Sequence, residues 1–192
     1  MFYPGFYFDR TMLLLLPAII IAFWAQSKVS STYKKYRTVR TMNGYTGENV
    51  ARMILDSAGL YDVPVVETRG ELTDHYDPRS RVVRLSTDIF HGSSIAAAGI
   101  AAHEVGHAIQ HQEQYKPLVL RTSMATAVNF SSQASIFIFM IGLLFSIPVL
   151  INIGIIFFTV AVFYQIITLP VEFNASRRAL KILESWRQQR TE

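Results

Sequence analysis

The chain has 192 residues, of which 51% are hydrophobic, and a formal net charge of +4. This length has room for one domain of ordinary size together with membrane segments. Cysteine is absent, which excludes disulfides and cysteine-ligated zinc and leaves His, Asp and Glu as metal ligands. No Asp, Glu, Lys or Arg occurs between Thr122 and Val171, and this charge-free block indicates contact with lipid.

The first apolar run extends from Thr11 to Ala25. It is shorter than the roughly 20 residues that cross hydrocarbon, but aromatic residues flank it on both sides, as at membrane interfaces. A cleaved signal peptide is the alternative, and the lack of a small-x-small cleavage pattern between Phe23 and Gln26 argues against it. We therefore predict a transmembrane anchor over residues 1–27.

The charge-free block is too long for one membrane helix and fits two short ones. Pro148, Asn152 and Gly154 lie near its middle and are residue types that break a helix and turn a chain. The sequence thus predicts a transmembrane helical hairpin over residues 125–170. Together with the anchor, this gives three transmembrane helices.

Basic residues follow both predicted membrane regions: Lys28, Lys34, Lys35, Arg37 and Arg40 after the anchor, and Arg177, Arg178, Lys181, Arg187 and Arg190 in the C-terminal tail. Because basic residues beside membrane spans favour the cytoplasmic side, we predict a multi-pass protein of the cell membrane whose polar part faces the cytoplasm. Binding to anionic lipid headgroups accounts for these clusters. No nucleic-acid partner is expected.

The polar residues 28–124 are predicted to form a domain of the α+β class, mainly α. Thr46 to Gly59 has the cap, the apolar face and the terminal glycine of a helix, and Ser94 to Gln112 is an alanine-rich helix. Val63 to Glu67 and Arg81 to Ser86 are short β-branched runs that predict a small sheet. The second of these strands either offers an open edge to an extended peptide or is simply one strand of the sheet.

The predicted alanine-rich helix contains His103-Glu104-Val105-Gly106-His107, which matches H-E-x-x-H. Residues four apart share one face of a helix, so both imidazoles can reach one ion. Glu104 lies beside that ion and can act as general base toward a zinc-activated water. The alternative is a helix with two histidines that are satisfied by other partners. A buried glutamate without metal or partner is costly, which favours the zinc site.

A catalytic zinc uses three protein ligands and keeps a fourth position open. Glu172 is the first charged residue after the charge-free block, and a hairpin returns it to the side of the zinc helix. It is the predicted third ligand, although a glutamate also suits the first turn of a following helix. His111 would lie about 6 Å further along the zinc helix and cannot close a tetrahedron, so we predict it at the surface. His75 and His91 are predicted as non-ligating, with a contact to the substrate or to the oxyanion left open for His75.

The stretches Leu72–Pro78, Ser94–Ala97 and Ala102–His111 resemble the YugP-like family of bacterial membrane zinc metallopeptidases. The likeness extends to Pro170–Ser176 and to the N-terminal anchor. The order of parts is also similar to that of the HtpX and CAAX-protease class: a zinc motif, a membrane hairpin and then a glutamate ligand. The resemblance implies a small zincin-like, gluzincin-type catalytic domain with one Zn²⁺ per chain, held by His103, His107 and Glu172, and with Glu104 as catalytic base.

Two departures accompany this resemblance. In the HtpX and CAAX-protease class an Ala-Asp pair follows the glutamate, whereas Ala175 is followed here by Ser176, so no supporting carboxylate is expected there. Members of the YugP-like family continue into a further apolar segment, whereas the present sequence ends at Glu192. Residues 171–192 are predicted as a C-terminal helix that carries the third zinc ligand.

These features predict a membrane-bound zinc metallopeptidase that hydrolyses peptide bonds in membrane-associated proteins. The expected partners are the lipid bilayer and a peptide or membrane-protein substrate, with a homo-oligomer or a membrane adaptor as further options. The rival hypothesis is a non-catalytic zinc-containing membrane scaffold or adaptor. Replacing Glu104 by Gln separates the two, because only an enzyme needs the general base.

Overall fold

The computed structural model describes residues 13–41 and 43–188 of the chain. The described part is mainly helical and has a small sheet, as predicted. Its elements in chain order are α1 (Leu15–Arg37), α2 (Gly47–Ser57), β1 (Val65–Thr68), β2 (His75–Asp77), β3 (Val82–Ser86), α3 (Thr87–Phe90), α4 (Ile95–Gln112), α5 (Lys116–Leu144) and α6 (Pro148–Gln188).

Local sequence signals account for the bounds of α2. The Thr46 side chain accepts a hydrogen bond from the Asn49 N–H, and the Asn49 side chain accepts one from the Thr46 N–H, which forms a capping box. Gly59 follows the helix with a φ of +72°, a conformation that glycine adopts without strain. The predicted helix is therefore confirmed, and its apolar face lies in the core.

The sheet has three strands in the order β1-β3-β2, with β1 parallel and β2 antiparallel to β3. Both predicted strands are present, but β3 lies in the centre of the sheet, so the open edge suggested for Arg81 to Ser86 is wrong. The edge next to α4 belongs instead to β2, the His75–Asp77 strand that the sequence did not predict. Turn-forming residues surround this three-residue strand and hide its pattern.

Small residues allow α4 to pack closely against its neighbours. Ala97, Ala101 and Ala102 are fully buried, and α4 lies against both α2 and α6. A Cβ atom on Gly106 would lie 2.8 Å from the Ala175 carbonyl oxygen of α6. The alanine and glycine content of α4 therefore brings α6 to within backbone contact of the predicted zinc helix.

Two helices among the described residues, α5 and α6, are long and apolar enough to cross a membrane, so the prediction of three such helices is corrected to two. In α1 the described apolar stretch covers only residues 13–25, about 20 Å of helix, and polar and basic residues follow it. Residues 1–12 of the predicted anchor lie outside the described part of the chain.

The hairpin turns at residues 145–147, earlier than predicted. Pro148 opens α6, where its missing N–H is not needed. Gly154 is a packing residue and not a turn residue, because a Cβ atom there would lie 2.8 Å from the Phe139 Cβ of α5. Helix α6 then continues through Pro170 to Gln188. Residues 171–188 and the second arm of the hairpin thus form one continuous helix.

Candidate metal centre

Helix α4 presents His103 and His107 toward α6 and Glu104 toward β2. The helix starts where the Ser94 side chain accepts a hydrogen bond from the Ala97 N–H, an N-cap that satisfies one free donor of the first turn. The His107 side chain is 9% exposed and that of His103 26% exposed. Both imidazoles are therefore mostly shielded from bulk water while one side of the site stays open.

The two imidazoles meet the carboxylate of Glu172 from α6. Its Oε2 atom lies 3.2 Å from the His103 Nε2 and 3.5 Å from the His107 Nε2, and all three ligand atoms lie within 4.8 Å of one another. Zinc bonds of 2.0–2.1 Å in a tetrahedron separate neighbouring ligand atoms by about 3.3–3.4 Å. The two His–Glu distances and the two-nitrogen, one-oxygen donor set fit one Zn²⁺ with a fourth position open.

Gln110 fixes the orientation of the His107 ring. Its amide nitrogen donates to the Val171 carbonyl and to the Asn174 Oδ1, each at 2.9 Å. Its Oε1 therefore faces the His107 Nδ1 at 3.0 Å, and that nitrogen must carry the proton. The His107 Nε2 is then the ring nitrogen that can bind a metal.

An ion pair at the surface supports this arrangement. The Arg178 Nε donates to the Asn174 Oδ1 at 2.7 Å, which identifies that atom as the amide oxygen. The same guanidinium forms two hydrogen bonds of 2.8 and 2.7 Å with Glu113, the C-cap residue of α4. Arg178 holds the pKa of the Glu113 carboxyl below its usual value. The Arg178–Glu113 pair thus joins helices α4 and α6 next to the hydrogen bonds of Gln110.

Ser176 performs the corresponding role for the His103 ring. Its Oγ lies 3.1 Å from the His103 Nδ1. Glu172 raises the pKa of His103 through their hydrogen bond, while burial opposes the rise. A neutral hydroxyl therefore orients this ring without adding charge to the site.

Glu104 is buried beside the two histidines, with 9% of its surface exposed. The Tyr76 backbone N–H of β2 donates to its Oε2 at 3.0 Å. Burial raises the pKa of Glu104, and the neighbouring His107 and His103 oppose the rise. Strand β2, which sequence reasoning missed, thus holds the carboxylate of the predicted base.

Arg121 is a further charged residue of the site that sequence reasoning missed. Its Nη1 lies 3.3 Å from the Glu172 Oε1, on the oxygen that faces away from the histidines. This contact leaves Oε2 for the metal position. The signal was weak in the sequence, because Arg121 is simply the last charge before the charge-free block.

The other three histidines lie outside the ligand cluster found among the described residues. The His111 Nδ1 lies 2.8 Å from the Tyr76 hydroxyl, so this residue is partly buried rather than fully at the surface as predicted. His91 pairs with Glu67 at 3.2 Å. His75 is exposed on β2 and lines the cleft next to the metal ligands.

An open cleft of about 750 Å³ borders the candidate centre. Its walls are residues 74–79 around β2, the motif face of α4, one face of α5 and the side of α6 that carries Glu172. The cleft therefore gives a molecule access to the ligands and to Glu104 at once.

Comparisons with known proteins agree with this chemistry. Residues 11–192 match the family described as "Putative neutral zinc metallopeptidase". The chain is also 54% identical over 172 residues to the "Putative membrane protease YugP" of Bacillus subtilis (strain 168), an alignment that covers 90% of this chain and 76% of that protein. No solved structure matches the chain.

Proposed function

Because this chain belongs to the neutral zinc metallopeptidase family that residues 11–192 match, we propose that it is a membrane-bound zinc metallopeptidase. In this proposal His103, His107 and Glu172 hold one Zn²⁺ per chain, and Glu104 is the general base. The observation that carries it is the meeting of three ligand atoms within 4.8 Å beside a buried glutamate in an open cleft.

Bound zinc would lower the pKa of a water molecule and polarise the scissile carbonyl. The chain's own residues then move the proton. Glu104 is fixed by the Tyr76 N–H and takes a proton from the attacking water. Burial raises its pKa, which makes Glu104 a stronger base toward this water, and the same carboxyl group can then deliver the proton to the leaving amine.

The placement of β2 supports the zincin-like part of the proposal. This strand pairs with β3 on one side only, and its Tyr76 N–H turns away from β3 toward Glu104. An extended peptide in the cleft would lie along this edge, where main-chain groups can form hydrogen bonds with it. The scissile bond would then pass between Glu104 and the metal ligands.

Helices α5 and α6, with the relative named a membrane protease, indicate that the chain is associated with a membrane. We place the catalytic part on the cytoplasmic side of the cell membrane, because basic residues follow the apolar segments of both α1 and α6. Membrane-associated proteins are the proposed substrates, and the lipid bilayer is the proposed partner. A second copy or a membrane adaptor would fit the same placement.

The test is proteolysis of β-casein by the full chain, purified in detergent with zinc, with fragments identified by mass spectrometry. Glu104→Gln is expected to lower the rate by at least about a hundredfold, because general-base catalysis contributes that much, while zinc stays near one per chain. Glu184→Gln is the matched control, since Glu184 is exposed on α6, and it should cleave like the wild type.

Equal rates for Glu104→Gln and the wild type would contradict the proposal. So would a zinc-loaded wild-type chain that releases no fragments. The second result would favour the non-catalytic scaffold.

A further inference from the structure

The cleft extends beyond the metal ligands along one face of α5. The residues of this helix that line it recur at intervals of three and four, which is the spacing of one helical face: Leu118, Arg121, Thr122, Ala125, Thr126 and Asn129. The last four belong to the charge-free block. Part of the cleft wall is therefore built from the membrane hairpin itself.

The depth of this extension follows from helix geometry. Arg121 contacts Glu172, and Asn129 lies eight residues further along α5, which is about 12 Å of helix. On α6, Tyr164 lines the same cleft and precedes Glu172 by eight residues, again about 12 Å. Because the two helices form a hairpin, Asn129 and Tyr164 reach the same level of the charge-free region.

Polar side chains line this deeper part of the cleft. Asn129 is exposed and Tyr164 is half-buried, so their polar groups are accessible from within the cleft. The Thr126 hydroxyl accepts a hydrogen bond of 2.6 Å from Arg79, which joins the turn after β2 to α5. In a pair of helices long and apolar enough to cross a membrane, polar side chains that face a cleft suit polar partners within it.

An extended peptide offers such partners. A membrane segment that unwinds for cleavage exposes its own N–H and C=O groups, and these need hydrogen bonds where water is scarce. The Asn129 amide can donate and accept, and so can the Tyr164 hydroxyl. A depth of about 12 Å corresponds to three or four extended residues.

On the basis of the proposed function, we propose that Asn129 and Tyr164 form a subsite for the main chain of a substrate that leaves the bilayer. The peptide bond to be cut then lies three or four residues from this subsite. The substrate class is a protein whose cleavage site directly follows a membrane-embedded segment.

The test compares one cleavage sequence in two settings. A β-casein segment that the wild-type chain cuts is used as a free peptide and as a fusion to a transmembrane polyleucine helix, with four residues between helix and scissile bond. The full chain and the fusion are reconstituted in phosphatidylglycerol-containing vesicles. The measured quantity is kcat/KM for the fusion divided by kcat/KM for the free peptide.

We expect Asn129→Leu to lower this ratio at least tenfold, and Tyr164→Phe to lower it severalfold, with zinc content near one per chain. Asn152→Leu is the matched control, because it makes the same change at an exposed residue of α6 outside the cleft, and it should keep the wild-type ratio. Lengthening the spacer from four to twelve residues should reduce the effect of Asn129→Leu.

The inference is overturned if Asn129→Leu and Tyr164→Phe keep the wild-type ratio, or if Asn152→Leu lowers it as much. Failure of the proposed function has a different signature, because the wild-type chain would then cut neither substrate.

Discussion

Gln110 offers a sharp test of how the metal centre is held together. This side chain is fully buried and contacts His107 on its own helix and Val171 and Asn174 on α6. Replacement by Leu keeps a similar volume and removes all three hydrogen bonds. Asn174 retains Arg178 as a partner, and the Val171 carbonyl lies inside α6, where a backbone N–H one turn further on serves it. The group left without its partner is therefore the His107 Nδ1–H.

The expected loss of zinc affinity can be calculated from this one donor that loses its hydrogen-bond partner. A buried donor without a partner costs about 1–3 kcal/mol, and the cost falls on the ring orientation and tautomer that zinc needs. At about 1.4 kcal/mol per factor of ten, the expected loss is about 5- to 150-fold in zinc affinity. Removal of hydrogen bonds behind metal-bound histidines typically costs about 10- to 100-fold, in agreement with this range.

The assay is competition for Zn²⁺ between the purified full chain in detergent and a chromophoric chelator. Gln112→Leu is the control, because Gln112 is exposed two residues further along α4, and it should bind zinc like the wild type. Gln110→Glu keeps an oxygen toward Nδ1, and we expect an intermediate affinity. Zinc binding by Gln110→Leu within twofold of the wild type would refute the proposed orientation of His107.

Three further predictions concern contacts between α4 and α6. Glu172→Ala should reduce bound zinc to well below one per chain by metal analysis, whereas unchanged zinc would mean that another residue is the third ligand. Gly106→Val should lower both the melting temperature and the zinc content, because its side chain meets the Ala175 carbonyl oxygen; wild-type values for both would contradict the close packing. The lowered pKa of Glu113 means that its pair with Arg178 stabilises the fold above the ordinary carboxyl pKa of about 4.3 and stops doing so as the pH falls through the lowered value. Solvent screening limits this effect to less than about 1 kcal/mol. The difference in melting temperature between the wild type and Glu113→Gln should therefore be small at pH 7 and disappear on acidification. A difference that grows on acidification would refute the stabilising role of the pair.

Local signals made several elements predictable from the sequence. The Thr46 cap and Gly59 fix α2, and the alanine-rich run after Ser94 fixes α4, because caps and helix propensity act over a few neighbouring residues. The family resemblance is confirmed by the comparisons. Glu172 could be chosen because a hairpin must return the first charge after the apolar block to its starting side. Its role as a ligand, like that of His103 and His107, stays a prediction that zinc analysis can test.

Tertiary contacts decided what the sequence could not reveal. Strand β2 exists because it pairs with β3 and lies against α4, and its three residues carry no period of their own. Gly154 has the composition of a turn but serves helix packing. Gln110 is indistinguishable from a surface glutamine until α6 is placed beside it. In each case the deciding partner is more than ten residues away in the chain or on another element.

The unbroken course of α6 has a mechanical consequence. The same helix that forms one arm of the hairpin also carries Glu172, while both imidazoles belong to α4. Transmembrane helices adjust their tilt to the thickness of the surrounding lipid, and a tilt of this helix would displace one metal ligand relative to the other two. Lipid thickness would thus act directly on the coordination geometry, without any separate regulatory element.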